Sequence, residues 1–306
     1  MIVTTGKSHS GAGIVPTTKP FTSMLLQEII NKLAAMFPAI NVSIIGTSRL
    51  GRPIYVLTIG QGNKSVMINA AHHANEWITS VLAMRFLEEY ASEPKWINET
   101  ALHIIPMVNP DGVDLVTGGL GRLRILYKKA EAQARSTECD EFPGCWKANI
   151  IGVDLNSNYP AGWEEAKKHK FARGYTRPGP RDYVGEYPLS EPETSAMAAY
   201  TLVNDFAHTI SLHTQGEEIY WRYQDYMPEG AAELAARLSK VSGYVCEDVP
   251  ETSSHAGYRD WFIETTNRPG MTIECGFGEN PLPISDFDEI YKKVAPLLHE
   301  AIRGDI

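Results

Sequence analysis

The chain has 306 residues, 28 Lys+Arg against 37 Asp+Glu, a net charge of −9 and 43% hydrophobic residues. This is a globular composition with enough chain for a sizeable core. The acidic balance and scattered basic residues exclude a polyanion binder that works by counterion release, so nucleic acid is not an expected partner.

No apolar run reaches the roughly 18–20 residues that a membrane span needs. The start Met1-Ile-Val-Thr-Thr-Gly-Lys-Ser-His9 lacks a charged region followed by an apolar one, so a cytoplasmic location is expected. The four cysteines, Cys139, Cys145, Cys246 and Cys275, are too few and too unevenly spaced for a disulfide framework. Cys139 and Cys145 could close a short loop in an oxidising compartment, but the expectation is free thiols.

Residues 1–22 are polar and rich in Gly, Thr, Ser and Pro, which predicts an irregular arm, and residues 23–306 are expected to form one domain. After a Thr22/Ser23 cap, Leu25, Leu26, Ile29, Ile30 and Leu33 fall at helical spacing up to Pro38. Short β-rich runs follow at Val42–Ile45, Ile54–Ile59 and Ser65–Ala70, separated by glycines. A helix is predicted from Glu76 to Tyr90 and a strand over Leu102–Val108. Asn109 to Leu189 reads as one long irregular region, and such loops in compact domains usually carry function.

Ser190-Glu-Pro192-Glu193 then starts a helix running to Val203, and a strand follows at Thr209–His213. The remaining expected elements are helices over Glu229–Val241 and Tyr258–Thr265, a strand over Met271–Glu274 and a helix over Ser285–Ile302. This alternation predicts an α/β protein with a sheet covered by helices on both faces.

The chemistry concentrates at strand ends. In Met67-Ile-Asn-Ala-Ala-His-His-Ala-Asn-Glu-Trp-Ile78 an apolar strand runs into a helix, and His73 and Glu76 can reach one metal ion about 2 Å from each donor. Alone the pair is a weak signal, since solvated surface residues need no explanation. Ile210-Ser-Leu-His213 ends another apolar strand in a histidine, although core histidines are common. Met271-Thr-Ile-Glu274-Cys-Gly276 ends a third in a carboxylate, which is costly there unless paired or functional. Together these are three ligands and a spare carboxylate, the inventory for metal-assisted hydrolysis, in which the open coordination position takes water and the spare carboxylate its proton.

His73-Ala-Asn-Glu76, Asn109-Pro-Asp-Gly112, Gly152-Val-Asp-Leu-Asn156, Ser190-Glu-Pro-Glu193, Ser211-Leu-His213 and Thr272-Ile-Glu274, in this order, resemble the zinc carboxypeptidase A superfamily from about Phe21 to Arg303. The resemblance implies a mixed, mostly parallel twisted sheet of about eight strands with helices on both faces. It implies one zinc ion on His73, Glu76 and His213, with Glu274 as the general base. Asp154 would then orient a ligand histidine by fixing its tautomer.

Trp146-Lys147 stands where the digestive enzymes have Trp-Arg, so Lys147 would stabilise the oxyanion as a point charge. Asn156-Ser157 stands where they clamp the substrate's terminal carboxylate with Asn-Arg, so the clamp has lost its charge. The family's substrate tyrosine has no evident counterpart, its place falling near Thr252. Arg259, just before Asp260-Trp261, occupies the floor of the family's specificity pocket and would suit a substrate side chain bearing a carboxylate.

Segments such as Asn156-Ser-Asn-Tyr-Pro-Ala-Gly-Trp163, His255-Ala-Gly-Tyr-Arg-Asp-Trp-Phe262 and Gly278-Glu-Asn-Pro-Leu-Pro283 are most similar to bacterial γ-D-glutamyl-meso-diaminopimelate peptidases. The resemblance implies peptidoglycan-derived peptides (muropeptides) as substrate, met in the cytoplasm, after lysis or in a sporulating mother cell. The alternative is an α-peptide metallocarboxypeptidase preferring acidic C-terminal residues, against which Ser157 argues.

Overall fold

The computed structural model describes residues 13–93, 100–137, 139–250 and 254–303. Its frame is an eight-stranded sheet built from β1 (Asn41–Thr47), β2 (Pro53–Ile59), β3 (Lys64–Ala70), β4 (Thr100–Ile105), β5 (Phe206–His213), β6 (Glu218–Tyr220), β7 (Val245–Glu247) and β8 (Gly270–Glu274). The strand order is β1-β2-β4-β3-β5-β8-β6-β7. The pairings β4–β3, β3–β5, β5–β8 and β6–β7 are parallel and the rest antiparallel, which is the mixed sheet expected.

Helices cover both faces. On one side α1 (Ser23–Met36), α2 (Ile78–Ala91), α7 (Ala231–Ser242) and α9 (Phe287–Arg303) share a core with the sheet. The apolar stripe read from the sequence is the buried one: Leu26, Ile29, Ile30 and Leu33 of α1 face inward, and Thr22 Oγ1 accepts from Leu25 N–H at 3.1 Å as the cap. On the other side α6 (Pro192–Val203) and α8 (Tyr258–Thr266) enclose Tyr159, Met197, Phe206, Tyr258 and Trp261.

Three helices lie in the region expected to be irregular: α3 (Pro110–Thr117), α4 (Ile125–Arg135) and α5 (Trp163–Ala172). In α4 and α5 the buried apolar side chains are few, Tyr127, Ala130 and Ala134 in the first and Trp163 and Ala166 in the second. Helix α3 starts on a cap, Asn109 Oδ1 accepting from Gly112 N–H at 3.0 Å, and stops at Gly118 with φ +88°. Strands β6 and β7, three residues each, also escaped the sequence reading, and β4 ends at Ile105 rather than Val108. The expectation of free thiols at Cys139 and Cys145 is corrected as well, because a turn brings their Cα atoms to 5.5 Å and they form a disulfide. Residues 13–22 are irregular as expected, yet Val15 and Phe21 are buried, and Ile14 and Val15 N–H donate to Glu88 at 2.6 and 3.2 Å. Among the described residues no helix is long and apolar enough to cross a membrane.

The topology locates the site. From β3 the chain crosses to β4 on one side, then returns past it to β5 on the other, so neighbouring connections diverge at the carboxyl ends of β3 and β5. Ligands of open α/β sheets bind at such a divergence. The register places Ala70 beside Leu212 and His213 beside Glu274.

Within β5, His208 is fully buried, and burial pushes its imidazole down to about 3. The unfolded chain takes up this proton below about pH 6.5 and the folded chain does so only near 3, so stability falls as pH drops through that window. His208→Leu is expected to remove about 2 kcal/mol of the loss between about pH 7 and pH 5. Urea titrations of both proteins check this, and equal losses would exclude His208 as the source.

Candidate metal centre and active site

His73 follows β3 and Glu76 closes the single 3-10 turn Ala74–Glu76 ahead of α2, so three residues of backbone aim both side chains past the strand end. His213 is the last residue of β5. His73 Nδ1 lies 2.8 Å from Glu76 Oε1, His213 Nδ1 lies 2.8 Å from Glu76 Oε2, and the two Nδ1 atoms are 3.2 Å apart. One donor atom from each residue falls within 4.8 Å of the others, and all three residues are buried.

This donor set fits a zinc ion. Asp154 Oδ1 lies 3.2 Å from His73 Nε2, and as a carboxylate it accepts the ring proton there. The lone pair of Nδ1 is thereby turned toward a Glu76 oxygen, and two acceptors in a buried cluster need a cation between them. Two imidazoles and one carboxylate are the ligands of an open, catalytic kind of zinc site. Burial pushes Asp154 up, but His73, Lys170 and Lys147 outweigh it and hold the carboxyl below its ordinary range.

Loops fix the rest of the wall. Asn109 Nδ2 donates to the carbonyls of His72 and Ala148, both at 3.1 Å, tying the strand-end histidines to the Lys147 loop. Ala74 N–H donates to Lys147 O, and Lys147 N–H to Pro180 O. Lys147 Nζ thereby sits 3.2 Å from Glu76 Oε1. Asp154 also accepts from the N–H groups of Asn156 and Asp182, each at 3.1 Å. The Asn-Pro-Asp-Gly and Ser-Glu-Pro-Glu motifs act as scaffold here. Asp111 takes Arg52, and Glu191 joins Arg49 to Asn149.

A cavity of about 310 Å³ opens beside the His-Glu-His group, and His73, Lys147, Asp154, Asn156, Ser157, Arg259 and Glu274 all line it. Glu274 ends β8 next to His213; burial, followed by repulsion from Glu76, pushes its carboxyl up to about 8. Arg259 is buried in the wall instead of lying on a helix surface. It donates to Asp260 and lies with its guanidinium 5.9 Å from the Tyr220 ring centre. Asn156 Oδ1 accepts from Tyr258 N–H at 3.0 Å, and Ser157 is buried beside it.

The position near Thr252 lies outside the described residues. The sequence reading missed Lys170, Arg181, Asp182, Tyr220 and His255, which complete the wall. Lys170, Arg181 and Asp182 belong to the region taken as irregular, where no spacing rule marks a cavity residue.

The family model for zinc carboxypeptidases matches residues 26–296. The chain is 43% identical over 283 residues to the γ-D-glutamyl-L-diamino acid endopeptidase 1 of Lysinibacillus sphaericus, covering 89% of this chain and 69% of that protein. It is 38% identical over 298 residues to the Bacillus subtilis protein YqgT, covering 93% and 77%. Among solved structures, bovine thrombin-activatable fibrinolysis inhibitor in complex with tick carboxypeptidase inhibitor superposes with a TM-score of 0.70 at 18% identity, over 94% of this chain and 97% of that one, a likeness of fold.

Proposed function

The chain belongs to the zinc carboxypeptidase family and is a zinc metallopeptidase, and from that premise we propose that it hydrolyses the γ-D-glutamyl to meso-diaminopimelate bond, or that to a related diamino acid, in peptidoglycan-derived peptides. The observation that carries this substrate class is the 43% identity, over 89% of the chain, to a γ-D-glutamyl-L-diamino acid endopeptidase. Ser157 is consistent with it. A cavity wall with serine where the digestive enzymes hold arginine lacks the bidentate grip on a peptide's terminal carboxylate.

His73, Glu76 and His213 would hold one zinc ion, which when bound supplies a Lewis acid at the scissile carbonyl. Glu274 accepts the proton of the attacking water and returns it to the leaving amine as the carbon–nitrogen bond breaks. Lys147 donates to the carbonyl oxygen as negative charge develops there. Asp154 holds the His73 ring in one tautomer and orientation. Asn156 and Ser157 offer neutral contacts to the substrate, and Arg259 faces the side-chain carboxylate of the diamino acid.

The test is mass spectrometry of products after incubating zinc-loaded protein with L-Ala-γ-D-Glu-meso-diaminopimelate and, separately, an α-linked peptide ending in glutamate. Release of diaminopimelate from the first alone is the expected result. Trimming of the second alone would replace this reading with the carboxypeptidase one, which Arg259 would then serve.

A further inference from the structure

Among the described residues four Lys and Arg side chains line the cavity, and three of them are mostly buried against an acidic neighbour. Lys147, with its side chain 21% exposed, sits on Glu76; Lys170, 9% exposed, donates to Asp182 Oδ1; Arg259, 6% exposed, donates to Asp260. Arg181 is different. Its side chain is 52% exposed, and only its Nε is engaged, donating to Asp182 Oδ2 at 2.6 Å. Among the described residues its Nη groups make no hydrogen bond. Asp182, itself 4% exposed, is thus shared by two cations, and its grip on Nε holds the guanidinium plane while the outer edge stays open to the cavity. A fixed planar fork with free donors is the geometry that binds a carboxylate.

The lining residues fall into two contact groups. Arg259 lies against Tyr220, which pairs with Thr272, and donates to Asp260, whereas Arg181 follows Pro180, whose carbonyl accepts from Lys147 N–H, and donates to Asp182, whose own N–H donates to Asp154. Resting on the function proposed above, in which Arg259 faces the departing diamino acid, the second group is left for the acyl half of the substrate. A γ-linked D-glutamyl residue spends its side-chain carboxyl on the scissile bond, so its α-carboxylate is free on that half. An ordinary α-peptide has no charge in the equivalent place.

We propose that Arg181, oriented by Asp182, binds the free α-carboxylate of the γ-D-glutamyl residue and so selects γ-linked over α-linked acyl groups. The site would recognise a carboxylate on the acyl side, separate from the one that Arg259 faces.

The test compares kcat/KM for L-Ala-γ-D-Glu-meso-diaminopimelate with its analogue whose glutamyl α-carboxylate is a carboxamide, using zinc-loaded wild type, Arg181→Gln and Arg181→Lys. Wild type is expected to favour the carboxylate on the order of 10- to 100-fold. Arg181→Gln should lose about tenfold more on the carboxylate substrate than on the carboxamide, mostly in KM, and Arg181→Lys should keep part of the preference. Equal losses on both substrates, or a wild type indifferent to the carboxamide, would overturn the assignment. The wild-type comparison stands even if a variant fails to fold. If wild type cleaves neither γ-linked peptide, the proposed function falls and takes this assignment with it; cleavage of both without preference removes Arg181 alone.

Discussion

Glu274→Gln is expected to leave zinc content and fold intact and to lower kcat by about 10²–10⁴-fold, the usual contribution of a positioned general base. The substitution keeps the shape of the side chain but turns one acceptor oxygen into an amide donor and removes the ability to take a proton. Glu274 is not among the three side chains whose donor atoms cluster, so the ligand set survives. It ends β8 in register with His213 and lines the cavity, which places it on the cavity side of the cluster. Steady-state kinetics with metal analysis on the same preparation check this. Near-full turnover in the variant would move the proton to another group, and loss of zinc would make Glu274 part of the ion's binding.

Much of this centre was legible in the sequence because strand ends are legible. An apolar run that stops at His73, at His213 or at Glu274 gives the residue's place as well as its type, and parallel strands bring such ends together. The sheet with helices on both faces followed from the same alternation. The hidden parts have physical reasons. Helix α3 is only eight residues long, and α4 and α5 bury few apolar side chains, Tyr127, Ala130 and Ala134 in one and Trp163 and Ala166 in the other, where α1 buries Leu26, Ile29, Ile30 and Leu33. Strands β6 and β7 are too short for a period-two pattern to register.

Cavity residues outside the sheet were the hardest to see. Arg259 was found through a family position, whereas Arg181 and Lys170 are basic residues in a basic stretch, and only the fold shows that they converge on Asp182. Likewise, Asn109 and Glu191 stood out as motif residues without a role. The structure makes them struts: Asn109 joins the β3 end to the Lys147 loop, and Glu191 holds Asn149 and Arg49.

Zinc is expected to stabilise the wild-type fold by about 4 kcal/mol at a free concentration a thousandfold above its Kd, and His213→Ala is expected to abolish that gain together with activity. Glu76 is a buried carboxylate whose two oxygens face two imidazole nitrogens at 2.8 Å, so the folded chain concentrates acceptors at one point that the unfolded chain leaves dispersed. Only the folded state offers three preset ligands, so binding energy becomes folding energy. Removing His213 leaves two ligands and a cavity at the end of β5. Thermal melts with zinc and with chelator separate the two effects. Wild type and Glu274→Gln should both gain from zinc, whereas His213→Ala should melt at one temperature in either condition. A zinc-dependent rise persisting in His213→Ala would place the ion outside the His73–Glu76–His213 cluster.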